Sequence, residues 1–208
     1  MTQKIDDKLL RRLADGREYR AMQLTADDGE QMRVEGFATT FGQPYTLYED
    51  ADFRFDEIVD ARAFDDTDLS DVILQYDHAG RVFARTSNGS LALTPTEHGL
   101  RVSADLSGTE IGRQLYQEIK GGYTTKMSFG FRVGADRREE ATDYETGKTV
   151  VTRTITAIAK LYDVSAVSLP ANDATSISAR GYADGVISEI RAERLERAKK
   201  KLRLLLEV

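Results

Sequence analysis

Apolar and polar residues alternate in several short segments of the chain, and this period of two is typical of β-strands with one buried face. The clearest such segments are 19–24, 32–39, 82–86, 90–94 and 100–104. Turn-forming residues separate them, with Asp27-Asp28-Gly29-Glu30 after the first segment and Asn88-Gly89 and His98-Gly99 between the last three. The pattern therefore predicts an N-terminal hairpin and, later in the chain, an antiparallel meander.

Other segments of strand character predict further strands. The run at 72–76 predicts a short buried strand, and 127–133, 150–158 and 160–169 predict three more. Residues 41–56 contain glycine, proline and several acids, and residues 134–149 are rich in charge without any periodicity, so we expect loops there apart from a short strand at 55–59.

Two segments have helical spacing instead. Ile111, Leu115 and Ile119 lie four residues apart, so they share one face of a helix over 109–120 that Gly121-Gly122 should end. From Val186 to Val208 a loose apolar stripe runs among glutamates, arginines and lysines, which favours an exposed or partner-binding helix.

Together these elements predict an α+β fold whose mostly antiparallel sheet is curled or closed. We expect four parts: a flexible N-terminal arm at 1–18, a β-domain at 19–173, a linker at 174–185 and a C-terminal helix at 186–208. The linker is inferred from its alanine, serine and glycine content.

Composition excludes several classes of function. The chain of 208 residues has no cysteine, so a thiol nucleophile, a disulfide framework and a cysteine-ligated metal are excluded. A net charge of -6 argues against general affinity for nucleic-acid phosphate. No apolar run approaches the length of a membrane span or resembles a signal peptide, so we expect a soluble protein. The two histidines lie at unrelated turns without ligand spacing, so neither a metal nor a cofactor site is predicted.

Three residues suggest serine hydrolysis, because a serine needs a base and the base needs an orienting partner. His78 follows a buried-strand candidate, where Asp77 is placed to bind a backbone amide and hold the loop. Ser128 lies on a predicted strand and shares a face with Gly130, which leaves space beside its hydroxyl. Asp163 stands at the start of an apolar strand, and because strands disfavour aspartate, a functional role would explain its position.

Each of these residues also has an ordinary structural interpretation. His78 could be a surface turn residue like His98, Ser128 a small polar strand residue, and Asp163 a charge on an exposed strand face. An esterase on another scaffold is less favoured, because the chain lacks the G-x-S-x-G motif of α/β-hydrolases around its candidate serine.

Several sequence blocks, taken together, resemble the prohead (capsid-maturation) serine proteases of tailed bacteriophages, which are relatives of the herpesvirus assembly protease. The blocks are Val34-Glu35-Gly36-Phe37-Ala38, Glu57-Ile58-Val59 through Ala63-Phe64, the apolar run ending at His78, the helix ending at Gly121-Gly122, Met127-Ser128-Phe129-Gly130-Phe131, and Asp163 through Pro170-Ala171-Asn172. The resemblance covers about residues 19 to 180. The chain departs from the family at Asp77-His78-Ala79, where Asn-His-Asp is common, and at Gly80-Arg81, which lies closer to the histidine than usual.

The resemblance implies a mostly antiparallel β-barrel flanked by helices, with His78 as general base, Ser128 as nucleophile and Asp163 as the acidic third member. Backbone amides after Leu169, including that of Asn172, are candidate oxyanion donors. The implied function is a serine endopeptidase that cleaves scaffold and capsid-protein segments and itself during procapsid maturation.

The implied partners are the viral scaffolding protein and the major capsid protein as substrates, and the protein itself through autocleavage and as a possible homo-oligomer. No nucleic acid, membrane or cofactor is implied, and the implied location is the immature capsid in the bacterial host cytoplasm. The alternative is a non-catalytic capsid-assembly or scaffold-binding module whose serine is incidental.

Overall fold

The computed structural model of the chain describes residues 16–26, 31–168 and 173–206, and most of these residues lie in strands. The strands are β1 (Arg17–Ala26), β2 (Arg33–Thr40), β3 (Tyr45–Glu49), β4 (Phe53–Val59), β5 (Ile73–Tyr76), β6 (Ala79–Arg85), β7 (Leu91–Pro95), β8 (Gly99–Asp105), β9 (Lys126–Thr142) and β10 (Thr149–Val167). The helices are α1 (Glu110–Lys120) and α2 (Asp173–Leu206), and Thr86–Asn88 forms a short 3-10 turn.

The strands form one mixed sheet in the order β3-β4-β10-β9-β1-β2-β8-β7. The long strand β10 pairs with β9 along one edge, while β4 and then β5 pair with its other edge in the parallel direction. Strand β6 pairs with β5 alone. The strand-rich α+β fold with a C-terminal helix is confirmed.

The closed barrel is not confirmed, because β3 and β7 end the strand order without pairing with each other in the described part of the chain. Closure depends on strand tilt and stagger, which local alternation does not encode. Both halves of the sheet nevertheless contribute to one core, which includes Val59 from β4, Phe129 from β9 and Leu91 from β7. The open sheet is therefore curled around that core.

Helix α1 occupies the predicted segment. Thr109 is its N-cap, and the hydroxyl of Thr109 accepts a hydrogen bond from Gly112 N. Leu115, Tyr116 and Ile119 are buried in the main core, as the four-residue spacing predicts. The helix ends at Lys120, and Gly122 follows with a positive φ of 75° that glycine adopts without strain.

The charged segment at 134–149 is not the predicted loop. Residues 134–142 continue β9 and pair with β10, so the two strands form a long hairpin whose turn lies near Asp143 and Gly147. On β9 the residues from Gly134 to Thr142 are all exposed, which explains why apolar residues do not recur at regular spacing in this segment. Strand β3 and the beginning of β4 likewise replace part of the loop that was predicted at 41–56.

Helix α2 begins at Asp173, so residues 174–185 are helical although their composition predicts a linker. Ala183, Val186, Ile187 and Ile190 pack on an aromatic surface of β4 in a second apolar cluster. The glycines of this stretch disfavour a helix by roughly 1 kcal/mol each, and this packing offsets that preference. Arg17 and Glu18, assigned to the arm by sequence, belong to β1, and residues 1–15 lie outside the described residues.

A charged cluster lies between the two apolar clusters, and we call it the buried charge cluster. It contains Glu18, Arg20, Glu57 and Arg153, with Tyr45 and Asp136 at its edge. Along β4 the same face presents Phe55 to the second cluster, then Glu57, then Val59 to the main core. Burial alone would raise the pKa of Glu18, but the charges and hydrogen bonds of Arg20 and Arg153 outweigh it and hold this pKa below its ordinary value.

Within the described residues, no helix combines the length and the apolar character that crossing a membrane would require.

Candidate active site

His78 lies in the tight turn between β5 and β6. Tyr76 pairs with Ala79, so Asp77 and His78 are the two central residues of a two-residue hairpin loop. Both have positive φ, 46° for Asp77 and 56° for His78. Hairpin loops of this length require such values, but only glycine adopts them freely, so surrounding contacts must hold this turn in place.

Asp77 supplies those contacts. Its backbone N–H donates to Ala166 O, and its two carboxylate oxygens accept hydrogen bonds from the backbone N–H and the hydroxyl of Ser168, each at 2.9 Å. The sequence-based expectation that Asp77 binds a backbone amide and holds the loop is confirmed. The turn is thereby fixed against the end of β10, and the His78 ring is directed back over the sheet.

His78 and Asp163 form a buried pair. The Nδ1 of His78 lies 2.5 Å from Oδ1 of Asp163, and both side chains are almost fully buried. A proton held on Nδ1 by the carboxylate selects the tautomer whose Nε2 can accept a proton. The ring of Tyr19 from β1 contacts the imidazole edge-on, with 4.5 Å between ring centroids.

Ser128 lies on the same face of the sheet as Asp163. In the pairing of β9 with β10, Ser128 is directly opposite Ser165, and Gly130 is directly opposite Asp163. Directly opposite residues point to one face, while Phe129 points to the main core on the other. Ser128 is 1% exposed, and its Oγ makes no hydrogen bond with any described residue.

The structure therefore brings His78 and Asp163 into contact and places Ser128 on the neighbouring strand of the same face. A nucleophile candidate, a base candidate and a carboxylate that orients the base are the parts that acyl transfer through serine requires. The candidate oxyanion donors after Leu169, including the amide of Asn172, lie outside the described residues.

A family model described as the caudovirus prohead serine protease matches residues 19–186 of the chain. The chain belongs to this family. The matched range contains His78, Ser128 and Asp163, and it begins at Tyr19, whose ring contacts His78. Comparisons with curated proteins and with solved structures gave no significant match.

In this prohead protease family member, Gly130 does not leave open space beside the serine, as its sequence position suggests. A Cβ atom at Gly130 would lie 2.6 Å from Oδ2 of Asp163 and 2.8 Å from Cε1 of Tyr19. The Asp163 carboxylate and the Tyr19 ring instead occupy the space that a side chain at position 130 would need. Gly130 is therefore required for the close approach of the two side chains that flank His78.

The variant Gly130→Ala tests that requirement. We expect the added methyl group to displace Asp163 or Tyr19, to destabilise the protein by about 1–3 kcal/mol and to reduce any cleavage activity, because both neighbours are fixed by packing. Urea unfolding and a cleavage assay measure the two effects. Gly108→Ala is the control, since an added Cβ there would have open space around it, with no other part of the protein within 4 Å. Equal effects of the two substitutions would contradict the assignment.

Two contacts of the site were missed by sequence reasoning. Ser165 donates a hydrogen bond of 2.9 Å to Oδ1 of Asp163, and Tyr19 contacts the His78 ring. Ser165 stands two residues after Asp163, so period-two alternation was a signal that could have found it. Tyr19 has no local signal, because its position depends on the register of β1 against β9.

His98 is not near this site. Its side chain is 76% exposed and lies beside Glu97, as its predicted place in a turn requires. Among the described residues, no group of three or more histidine or acidic side chains is arranged to hold a metal ion.

Proposed function

We propose that the protein is a serine endopeptidase that cleaves scaffold and capsid-protein segments, and itself, during procapsid maturation. The observation that supports this most strongly is the buried His78–Asp163 hydrogen bond on the sheet face that also holds Ser128. Burying two polar side chains costs desolvation free energy, and membership in the prohead serine protease family offers a functional reason for that cost.

In the proposed reaction, Oγ of Ser128 attacks the scissile carbonyl carbon while Nε2 of His78 accepts the hydroxyl proton. The carbon–nitrogen bond then breaks, the leaving amine takes the proton from His78, and an acyl-enzyme on Ser128 remains. A water molecule, deprotonated by His78, hydrolyses the acyl-enzyme by the same sequence. Asp163 keeps the ring oriented and stabilises the imidazolium that forms in each half of the reaction.

The substrates proposed here are the viral scaffolding protein and the major capsid protein, which the family assignment favours. Cleavage of the chain itself is proposed for its terminal regions, and the reaction would take place inside the immature capsid in the bacterial host. The proposed mechanism uses only side chains and water, so no cofactor is invoked.

One observation favours the alternative of a non-catalytic capsid-assembly or scaffold-binding module. Ser128 is 1% exposed, and a substrate carbonyl must reach its Oγ for any reaction to occur. Under the protease proposal, the residues that cover Ser128 must therefore move before or during substrate binding.

A serine-reactive fluorophosphonate separates the two functions. The chain is incubated with the scaffolding and capsid proteins of its phage, with and without the probe, and all masses are measured. We expect cleavage products without the probe, and loss of cleavage together with one adduct on the tryptic peptide Met127–Arg132, in which Ser128 is the one hydroxyl residue. Intact substrates together with an unlabelled peptide would instead support the non-catalytic module.

A further inference from the structure

Ser165 is buried beside the His78–Asp163 pair and belongs to the strand that holds Asp163. Its side chain is fully buried, and its Oγ donates to Oδ1 of Asp163 at 2.9 Å. The same oxygen is the one that His78 Nδ1 approaches at 2.5 Å. Two donors therefore converge on a single carboxylate oxygen.

We propose that Ser165 is a positioning residue, whose hydroxyl holds Oδ1 of Asp163 against the His78 ring. A carboxylate can turn about its Cβ–Cγ bond, and a single hydrogen bond to histidine leaves that rotation incompletely fixed. The Ser165 hydroxyl adds a second fixed direction at Oδ1, while Oδ2 lies over Gly130. The proposal rests on the proposed function for its effect on rate, but its effect on hydrogen-bond geometry stands apart from any activity.

The same hydrogen bond affects Ser128. Ser165 and Ser128 are directly opposite each other on β10 and β9, close enough for two hydroxyls to compete for one partner. Ser165 directs its proton to Asp163, and the Oγ of Ser128 forms no hydrogen bond with any described residue. The hydroxyl of Ser128 is therefore left available for the base instead of being bound to its neighbour.

No other described side chain in the register takes the place of Ser165. Gln75 is opposite Ser165 on β5, but its amide nitrogen donates instead to Gly80 O at 3.4 Å. Among the described residues, loss of the Ser165 hydroxyl would leave His78 as the donor to Oδ1.

The test uses the full chain labelled with ¹⁵N-histidine, which contains two histidines, one of them the exposed His98. A short hydrogen bond protects the Nδ1 proton of His78 from exchange and moves its NMR resonance downfield. Without the Ser165 hydroxyl, Oδ1 of Asp163 is held less firmly against Nδ1, so we expect Ser165→Ala to move this resonance upfield. We expect the same of Ser165→Cys, because a thiol is similar in size but is a weak donor. Ser165→Thr retains the hydroxyl and should retain the resonance.

The kinetic readout is the separation of kcat from KM for a cleaved substrate. We expect kcat of Ser165→Ala to fall about 10- to 100-fold with KM unchanged, because misoriented catalytic groups lower the rate without touching substrate binding. Ser103→Ala is the matched control, since Ser103 is a half-buried strand serine whose hydroxyl lies near Glu35 instead. It should change neither quantity.

A resonance that stays in place in Ser165→Ala and Ser165→Cys would overturn the proposal whatever the activity. A resonance that moves while kcat stays within twofold of wild type would overturn it as well, since the hydrogen bond would then have no bearing on the rate. If wild type cleaves nothing but the resonance moves in both variants and returns in Ser165→Thr, the positioning of Asp163 is supported and the protease function fails separately.

Discussion

Ser128→Ala is expected to lower the rate of peptide-bond cleavage by about 10⁶-fold, the loss typical of removing the nucleophile of a catalytic triad. The hydroxyl of Ser165, the residue opposite, does not take its place, because it donates its proton to Asp163. Intact-mass time courses with wild type and variant at equal concentration measure the effect.

The same substitution should also stabilise the fold. The Oγ of Ser128 is buried without a hydrogen bond to any described residue, and burying an unpaired hydroxyl costs about 1–3 kcal/mol. Removing it leaves only a small void, so we expect a higher midpoint of urea unfolding for Ser128→Ala than for wild type. Stability gained together with activity lost is the pattern of a residue retained for function.

Asp163→Asn extends this test to the base. An asparagine amide at this position presents His78 Nδ1 with either an N–H donor or an uncharged oxygen. The imidazole then loses its preferred tautomer, and the imidazolium formed during the reaction is no longer stabilised by a carboxylate. We therefore expect cleavage to be about 10⁴-fold slower. The control is Asp68→Asn, an exposed carboxylate whose partner Lys160 is also on β10. It should leave the rate unchanged. Full activity in Ser128→Ala, or a larger loss in Asp68→Asn than in Asp163→Asn, would contradict the assigned roles.

The local part of this site could be predicted from sequence. His78 stands at a strand end, Ser128 alternates with two apolar residues, and α1 has an apolar face and glycines at its end, so each is visible within a dozen residues. Family resemblance then grouped residues that are 85 positions apart, such as His78 and Asp163.

The assembly of the site could not be predicted in the same way. Strand β10 is 19 residues long and pairs in parallel with β4 and β5, and no local pattern distinguishes parallel from antiparallel neighbours in a short apolar run. The approach of Tyr19 and the role of Gly130 follow from the register of β9 against β1 and β10, which local patterns do not encode either, and this is why the space beside Ser128 was misjudged.

Charged residues were the second source of error. The exposed side of the β9–β10 hairpin resembles a loop in sequence because its side chains face solvent. Conversely, Glu57 and Arg20 are charged residues that the structure buries, and the sequence pattern gave no sign of that burial. Burial of charge is a property of the tertiary pairing, since such residues are tolerated inside only when their partners arrive from other strands.

Glu57→Gln is therefore expected to be strongly destabilising, although it lies outside the candidate active site. Glu57 is fully buried and accepts hydrogen bonds from Arg20 Nε at 2.6 Å, from Arg153 Nη1 at 3.1 Å and from the Tyr45 hydroxyl. A glutamine keeps the volume, but it removes one negative charge and turns an amide N–H₂ group toward guanidinium donors. Breaking a buried ion pair from one side costs about 3–5 kcal/mol, so we expect a loss of that size in the free energy of unfolding.

Urea unfolding compares this variant with Glu139→Gln, an exposed glutamate on β9 that lies 3.7 Å from Arg137. The control should change stability by less than about 1 kcal/mol. Arg20 lies on β1, the strand of Tyr19, and Arg153 lies on β10, the strand of Asp163. Loss of the buried charge cluster should therefore also weaken the pairing of the strands that position the two contacts of His78. A Glu57→Gln protein as stable as the control would mean that the cluster contributes no net stability, and that packing in the two apolar clusters alone fixes these strands.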